Sequence, residues 1–242
     1  MRLILKYFFS IFCLTICCFN LFGQAGRYAP SAVKLGIDPG TLGYMIFSEK
    51  REFFEVEADI DIDRFFIVAN YGLSSFKLTE DTYIYENDGS YLRLGADINF
   101  MQKDPNLNIA FFGLRYVSAS FTDKLDYDTK ALIQSEIGWP STRETTSNSN
   151  AKANWYEMVS GLKIRVVKQL YMGFTVRFKF ILNVKQTVDL RPYYIPGFGK
   201  NINTSAFGFN YYVSYRLPFR KKIIYTDENK NVIKEKKKKK EK

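Results

Sequence analysis

Residues 154–182 read NWYEMVSGLKIRVVKQLYMGFTVRFKFIL. Before Lys168-Gln169, one set of alternate positions holds Tyr156, Met158, Ser160, Leu162, Ile164 and Val166, and the other holds Glu157, Val159, Gly161, Lys163 and Arg165. After it, Met172, Phe174, Val176, Phe178, Phe180 and Leu182 alternate with Gly173, Thr175, Arg177, Lys179 and Ile181. Side chains of a helix repeat every 3.6 residues, so a period of two over this length predicts a β-hairpin of unusually long strands. The chemistry of the faces sets its direction. Glycine weakens a solvent-facing strand, yet Gly161 and Gly173 lie on the charged face, which suits a crowded interior. Strands of about 10 residues or more match a tilted crossing of a hydrocarbon layer, against roughly 5–6 in soluble domains. The hairpin therefore reads as apolar outward and polar inward, the pattern of a membrane barrel.

The same alternation recurs along the chain. Val33, Leu35 and Ile37 oppose Lys34, Gly36 and Asp38, before Pro39-Gly40 interrupts. Whether residues 41–47 continue that strand or fold over the barrel mouth stays open. Phe54, Val56, Ala58, Ile60 and Ile62 oppose Glu55, Glu57, Asp59, Asp61 and Asp63, and Arg64 starts the return strand at once. There Phe65, Ile67, Ala69, Tyr71 and Leu73 turn outward. Residues 77–90 read as a polar loop holding the turn signature Asn87-Asp88-Gly89. Leu92, Leu94, Ala96, Ile98 and Phe100 then oppose Arg93, Gly95, Asp97 and Asn99; Ala110, Phe112, Leu114 and Tyr116 oppose Gly113 and Arg115. Residues 122–153 read as a long non-alternating loop and residues 184–204 as a loop rich in Pro, Gly and Tyr. The last strand sets Phe209, Tyr211, Val213, Tyr215 and Leu217 against Asn210, Tyr212, Ser214 and Arg216.

Connections near 63, 104 and 168 are short, and those near 45, 82, 137 and 194 are long. Together these predict an all-β fold: an antiparallel transmembrane β-barrel of about eight strands, with short periplasmic turns and long extracellular loops. Such a wall must close, because an open edge leaves amides and carbonyls unpaired in hydrocarbon.

The termini suggest the compartment. Residues 1–23 carry Arg2 and Lys6 beside an apolar run that ends near Gly23 and Ala25, which reads as a secretory signal peptide, with a membrane anchor as the other reading. The barrel is assigned to residues 24–219 and a basic, unfolded periplasmic tail to 220–242, including Lys236, Lys237, Lys238, Lys239 and Lys240. That cluster reads as a solvated end or as a contact for an acidic partner or anionic membrane surface. The net charge of +10 sits mostly in these ends: residues 220–242 hold 11 basic and 4 acidic residues. The barrel is nearly neutral, which argues against nucleic acid as a partner.

All three cysteines, Cys13, Cys17 and Cys18, lie in the leader, and histidine is absent. That removes thiol chemistry from the mature chain and the usual general base and metal ligand. No catalytic residue, metal or cofactor is assigned. The inward charges, Glu55, Glu57, Asp59, Asp97 and Glu157 against Arg93, Arg115, Lys163, Arg165, Arg177, Lys179 and Arg216, read as a salt-bridge network plugging the lumen, with a narrow ion path or a Glu55/Glu57 acid pair as the sharper alternatives. Phe53, Phe65, Tyr71, Phe100, Tyr116, Trp155, Tyr171, Tyr211 and Tyr215 near strand ends suggest interfacial girdles. Gly208, Tyr211, Val213 and Tyr215 match the insertion signal of outer-membrane barrels, except that this strand does not end the chain.

Gly36-Ile37-Asp38, Phe54-Glu55-Val56-Glu57-Ala58-Asp59, Gly95-Ala96-Asp97-Ile98-Asn99, Gly113-Leu114-Arg115-Tyr116 and Trp155-Tyr156-Glu157, in that order, resemble an uncharacterised, domain-of-unknown-function family of small Gram-negative outer-membrane barrels. The resemblance implies no enzymatic role. It implies an accessory subunit beside a lipoprotein in the outer-membrane protein assembly machinery, with the lipid bilayer and another outer-membrane protein as partners. The alternative is a surface barrel whose long loops hold a ligand, host molecule or phage; an enzyme and a soluble lipid-binding barrel stand behind it.

Overall fold

A computed structural model of the chain describes residues 29–40, 51–129, 142–186 and 190–220. Residues 1–23, read above as a signal peptide, residues 41–50 and the lysine tail lie outside them. Among the described residues ten strands are formed: β1 (Ala32–Ile37), β2 (Arg51–Ile62), β3 (Phe65–Thr79), β4 (Tyr83–Asn99), β5 (Ile109–Asp128), β6 (Arg143–Val167), β7 (Leu170–Lys185), β8 (Tyr194–Ile195), β9 (Gly199–Lys200) and β10 (Ser205–Pro218). Eight of them close into one barrel in the order β1-β10-β7-β6-β5-β4-β3-β2, every neighbour antiparallel. β8 and β9 form a separate two-stranded hairpin.

Alternation orients each strand. On β6 and β7, Met158, Phe174 and Phe178 are exposed on the outer wall, while Glu157, Arg177 and Lys179 are buried inside. The outward stripe continues around the ring through Leu35, Ile60, Ile67, Leu94, Leu114 (60 % exposed) and Tyr215. A core of this sign is inverted relative to a protein whose greasy side chains pack together in the centre. At one end the turns are tight: residues 63–64 and 168–169 each link two strands, with Asp63 and Lys168 in the left-handed region at φ 57° and 41°. Asp104 organises the third, its carboxylate accepting from the N–H groups of Asn106 (3.2 Å) and Asn108 (2.9 Å).

The opposite end corrects the sequence reading. Residues 77–90 are no loop: β3 runs to Thr79, β4 starts at Tyr83, and only residues 80–82 connect them. Asn87-Asp88-Gly89 lies within β4, where Gly89 permits close approach, since a Cβ there would meet Ser120 O at 2.5 Å. Of residues 122–153, the described stretches 122–129 and 142–153 are likewise mostly strand, with β5 extending 20 residues and β6 25, and residues 130–141 lie outside the described residues. The physical reason is common to both. Above the apolar stripe the outward residues Glu86, Asp88, Ser90, Ser120 and Thr122 are polar, so the outward greasy stripe stops although the main-chain ladder continues.

The interior departs from a purely polar reading too. Phe66, Val68, Ile109, Phe111, Val159 and Tyr171 form an apolar cluster toward the turn end; Tyr91, Val117, Ala119, Phe121, Ala151, Ala153, Trp155, Ile195 and Phe198 form another toward the loop end. Three of the supposed girdle aromatics, Phe53, Trp155 and Tyr171, point inward: Trp155 and Tyr171 are buried, and Phe53 stacks on Tyr91 at 5.9 Å. Tyr71, Tyr116, Tyr211 and Tyr215 are exposed on the outer wall, as is Phe100 beyond the end of β4.

Candidate functional site

The charged residues of the interior meet in a column along the barrel axis. β2 supplies its acidic side, placing Glu55, Glu57, Asp59 and Asp61 at successive inward positions, all buried. Cations from the other strands reach across to them. Arg93 of β4 and Arg177 of β7 both bind Glu55, the latter at 3.1 Å, and Arg93 Nε also donates to Glu157 Oε1 at 3.1 Å. Lys163 of β6, from the opposite wall, donates to Glu57 at 2.5 Å and Asp59 at 3.1 Å. Lys34 of β1 pairs with Asp59, and Arg216 of β10 with Asp61 at 3.3 Å. Arg115 grips Asp97 through two parallel bonds of 2.5 and 2.8 Å, the strongest geometry an arginine and a carboxylate can adopt.

Neutral donors complete the shells. Asn70 Nδ2 bridges Glu55 and Glu57 at 3.1 Å to each, the Tyr91 hydroxyl donates to Glu55, as does Tyr212 at 2.5 Å, and Trp155 Nε1 donates to Glu157 at 2.7 Å. The column needs room that side chains would otherwise fill. At Gly72 a Cβ would sit 2.1 Å from Tyr91 Cζ, so glycine there lets that ring come this close to β3.

Among the sequence-derived candidates, Arg165 and Lys179 stand apart. Arg165 is half-buried at the turn end, where its backbone N–H donates to Asn108 Oδ1 at 3.0 Å. Lys179 is buried, but its Nζ donates to the carbonyls of Gly197 (2.7 Å) and Phe198 (3.1 Å). Lys34 and Asp61 belong to the column, and their place in the alternation already turned them inward. Tyr211 and Tyr215 of the supposed insertion signal lie on the outer wall. Val213 is half-buried, and Gly208 faces Lys179, whose Cε would lie 3.0 Å from an added Cβ.

The largest correction concerns residues 184–204. β7 takes the chain to Lys185, and the segment described again from residue 190 does not stand free. It folds into the loop end of the lumen, with Tyr194, Ile195 and Phe198 buried there. Arg93 donates to Gly197 O at 3.0 Å alongside Lys179, so two interior cations hold the loop by its carbonyls. Gly197, at φ 77°, supplies the left-handed residue the turn needs and lies against Tyr91. Phe198 packs edge-on to Trp155 at 5.6 Å. A second clamp lies higher. Asn87 Nδ2 donates to Tyr194 O at 3.1 Å, Tyr194 N donates to the Tyr85 hydroxyl at 3.2 Å, and Asp123 accepts from Tyr85 (2.6 Å) and Asn87 (2.5 Å). Asp123 lies beyond the apolar stripe of β5, and burial pushes its carboxyl up from the ordinary value. Pro, Gly and Tyr in this loop read as an exposed connection; the signal that it plugs the mouth lies in main-chain carbonyls, which composition does not display.

Chemically, the arrangement holds charge in place. Each carboxylate of the Glu55/Glu57 pair is engaged by cations, Glu55 by Arg93 and Arg177 and Glu57 by Lys163. Apolar layers lie toward both ends of the ion-pair column.

Fold and interior together define a class: an all-β, closed, eight-stranded antiparallel barrel with its axis occupied by ion pairs and its mouth by its own loop. Within that class the chain belongs to the family DUF6048, a domain of unknown function, whose model matches residues 4–222. No curated protein matches the sequence.

Proposed function

We propose that this chain is a non-enzymatic, integral outer-membrane β-barrel that serves as a structural or accessory subunit of an outer-membrane protein assembly complex, with its lumen shut. One observation carries the reading. Exposed Leu35, Ile60, Ile67, Leu94, Leu114, Met158, Phe174 and Tyr215, drawn from all eight wall strands, form a continuous apolar surface around a charged axis. Apolar surface left in water costs about 25 cal/mol per Å², so this wall is stable where lipid covers it. The leader, residues 1–23, supports export, and Gly208, Tyr211, Val213 and Tyr215 support insertion by the outer-membrane route. The interior is committed to holding itself together, so contact with partners falls to the outer wall and the loop end. The family resemblance supports an outer-membrane protein or lipoprotein as that partner.

The test has two parts. Expressed with its leader, the protein should stay with outer membranes through high-salt and alkaline washes and should co-purify from mild detergent with a stable set of membrane proteins. Release by salt alone would overturn the membrane reading, and recovery only as a monomer would overturn the accessory reading.

A surface-binding barrel is the second reading, favoured by the polar projection of β3–β6 above the apolar belt. Isolation as a monomer with a soluble ligand would support it.

A further inference from the structure

Among the described residues, the loop end of β6 presents an open strand edge. β6 pairs with β7 only from Lys152↔Lys185 onward, while its pairing with β5 reaches up to Arg143↔Asp128. Among the described residues, β6 above Lys152 therefore has a strand on one side alone. The direction of its free groups follows from Asp128, whose N–H is donated to Thr82 O at 3.0 Å on the β4 side. Its antiparallel neighbour Arg143 consequently turns N–H and C=O away from β5, and the adjacent pair bonds instead, Thr129 N–H to Thr142 O at 3.0 Å. With unbroken register from Asp128↔Arg143 to Asp123↔Asn148, Thr145 and Ser147 repeat the orientation of Arg143.

Edges of this kind are normally blunted by charge, proline or a covering segment. Residues 145–150, TTSNSN, carry no charge and no proline, and Thr145 and Ser147 are exposed. At the foot of the edge, Lys152 and Lys185 stand directly opposite each other, both exposed, a like-charge pair that destabilises a sheet unless an anion joins it.

We infer that this edge takes up an extended segment of a partner protein, added as a strand antiparallel to β6, with an acidic side chain at the end beside Lys152 and Lys185. Main-chain bonds to Arg143, Thr145 and Ser147 supply affinity, and the lysine pair fixes direction. A second copy does not fit. Antiparallel pairing of two identical edges needs a two-fold axis perpendicular to the sheet; for a barrel wall that axis lies in the membrane plane and inverts one copy. That exclusion rests on the outer-membrane reading; the edge itself does not.

The experiment uses the full chain in lipid nanodiscs. Its probe is a labelled peptide of alternating threonine and valine with two aspartates at its N-terminal end. Binding should slow amide exchange at Arg143, Thr145 and Ser147 at least about tenfold. Thr145→Pro and Ser147→Pro spare the β5 ladder, because those amides do not serve it, and each should abolish binding. Lys152→Glu with Lys185→Glu should weaken it roughly tenfold or more. The same peptide N-methylated on alternate residues should not bind, a control independent of how the proline variants fold. Any of four results overturns the inference: protection of these amides before peptide is added, equal binding of the methylated peptide, no slowing at millimolar peptide, or protection that appears only in a dimer. Failure here leaves membrane retention and co-purification untouched, so the two readings are tested separately.

Discussion

Glu55 takes hydrogen bonds from Arg93, Arg177, Tyr91, Tyr212 and Asn70, and its side chain has no exposure to solvent. Such a residue stabilises little by itself, since desolvating the ions offsets most of their attraction, but removing one partner strands the others. Glu55→Gln should therefore cost about 3–5 kcal/mol in reversible unfolding from lipid vesicles, because two arginines lose their shared anion. In a cycle with Arg177→Met the losses should fall short of additive by about 0.5–3 kcal/mol; strict additivity would mean the pair is not coupled. Steric logic governs Gly72. Gly72→Ala drives a methyl into the Tyr91 ring and should cost about 1–3 kcal/mol, most of it recovered in a Tyr91→Leu background. An unchanged unfolding midpoint for Gly72→Ala would show that the ring can move aside.

At the scale of strands and loops, chemistry separates what the sequence displays from what it hides. β2 and the β6–β7 hairpin are legible because each alternates greasy residues on the outer face of the wall with charged residues on the inner one. The inward charges could be named for the same reason, Lys34 and Asp61 included. In the upper halves of β4, β5 and β6 the outward face turns polar while Tyr91, Ala119, Phe121, Ala151 and Ala153 line the inside, so the outward greasy stripe that marks the lower halves stops, and Asn87-Asp88-Gly89 reads as a turn. The plug of the mouth was hidden differently: its anchors are carbonyls of Tyr194, Gly197 and Phe198, identical in every residue type. The clamp on Tyr194 makes a prediction about pH. Burial holds the folded carboxyl of Asp123 above its unfolded value, so ionising it opposes folding: the penalty is full above the folded pKa and fades as pH falls toward the unfolded value of about 4, below which the side chain is protonated in both states. Asp123→Asn keeps an acceptor for Tyr85 and should stabilise the protein at pH 8 but not at pH 4. Equal effects at both values in unfolding titrations would remove Asp123 from the account.

For the whole molecule, greasy wall and charged axis are two halves of one design, each stable only if the other is present. Apolar clusters flank the column and the loop lies above it, so in the shut lumen proposed here single lesions should not open a path. In planar bilayers the native protein should show no steady conductance, and neither should a variant with residues 193–200 replaced by a glycine-serine segment, because the Glu55, Arg93 and Arg177 layer remains. Stable openings in that variant would place the seal in the loop. The ring also has an unequal member. β1 has six residues and joins β2 and β10 through one short run of partners on each side, whereas β5 and β6 share a seam three times as long. Ser31 O accepts from the N–H groups of Phe219 (3.2 Å) and Arg220 (3.1 Å), so the two chain ends leave the wall side by side. The barrel thus closes on a clasp rather than a weld: seven strands can zip as an open ribbon from hairpin to hairpin, and the first strand in the chain is the last that has to find its place.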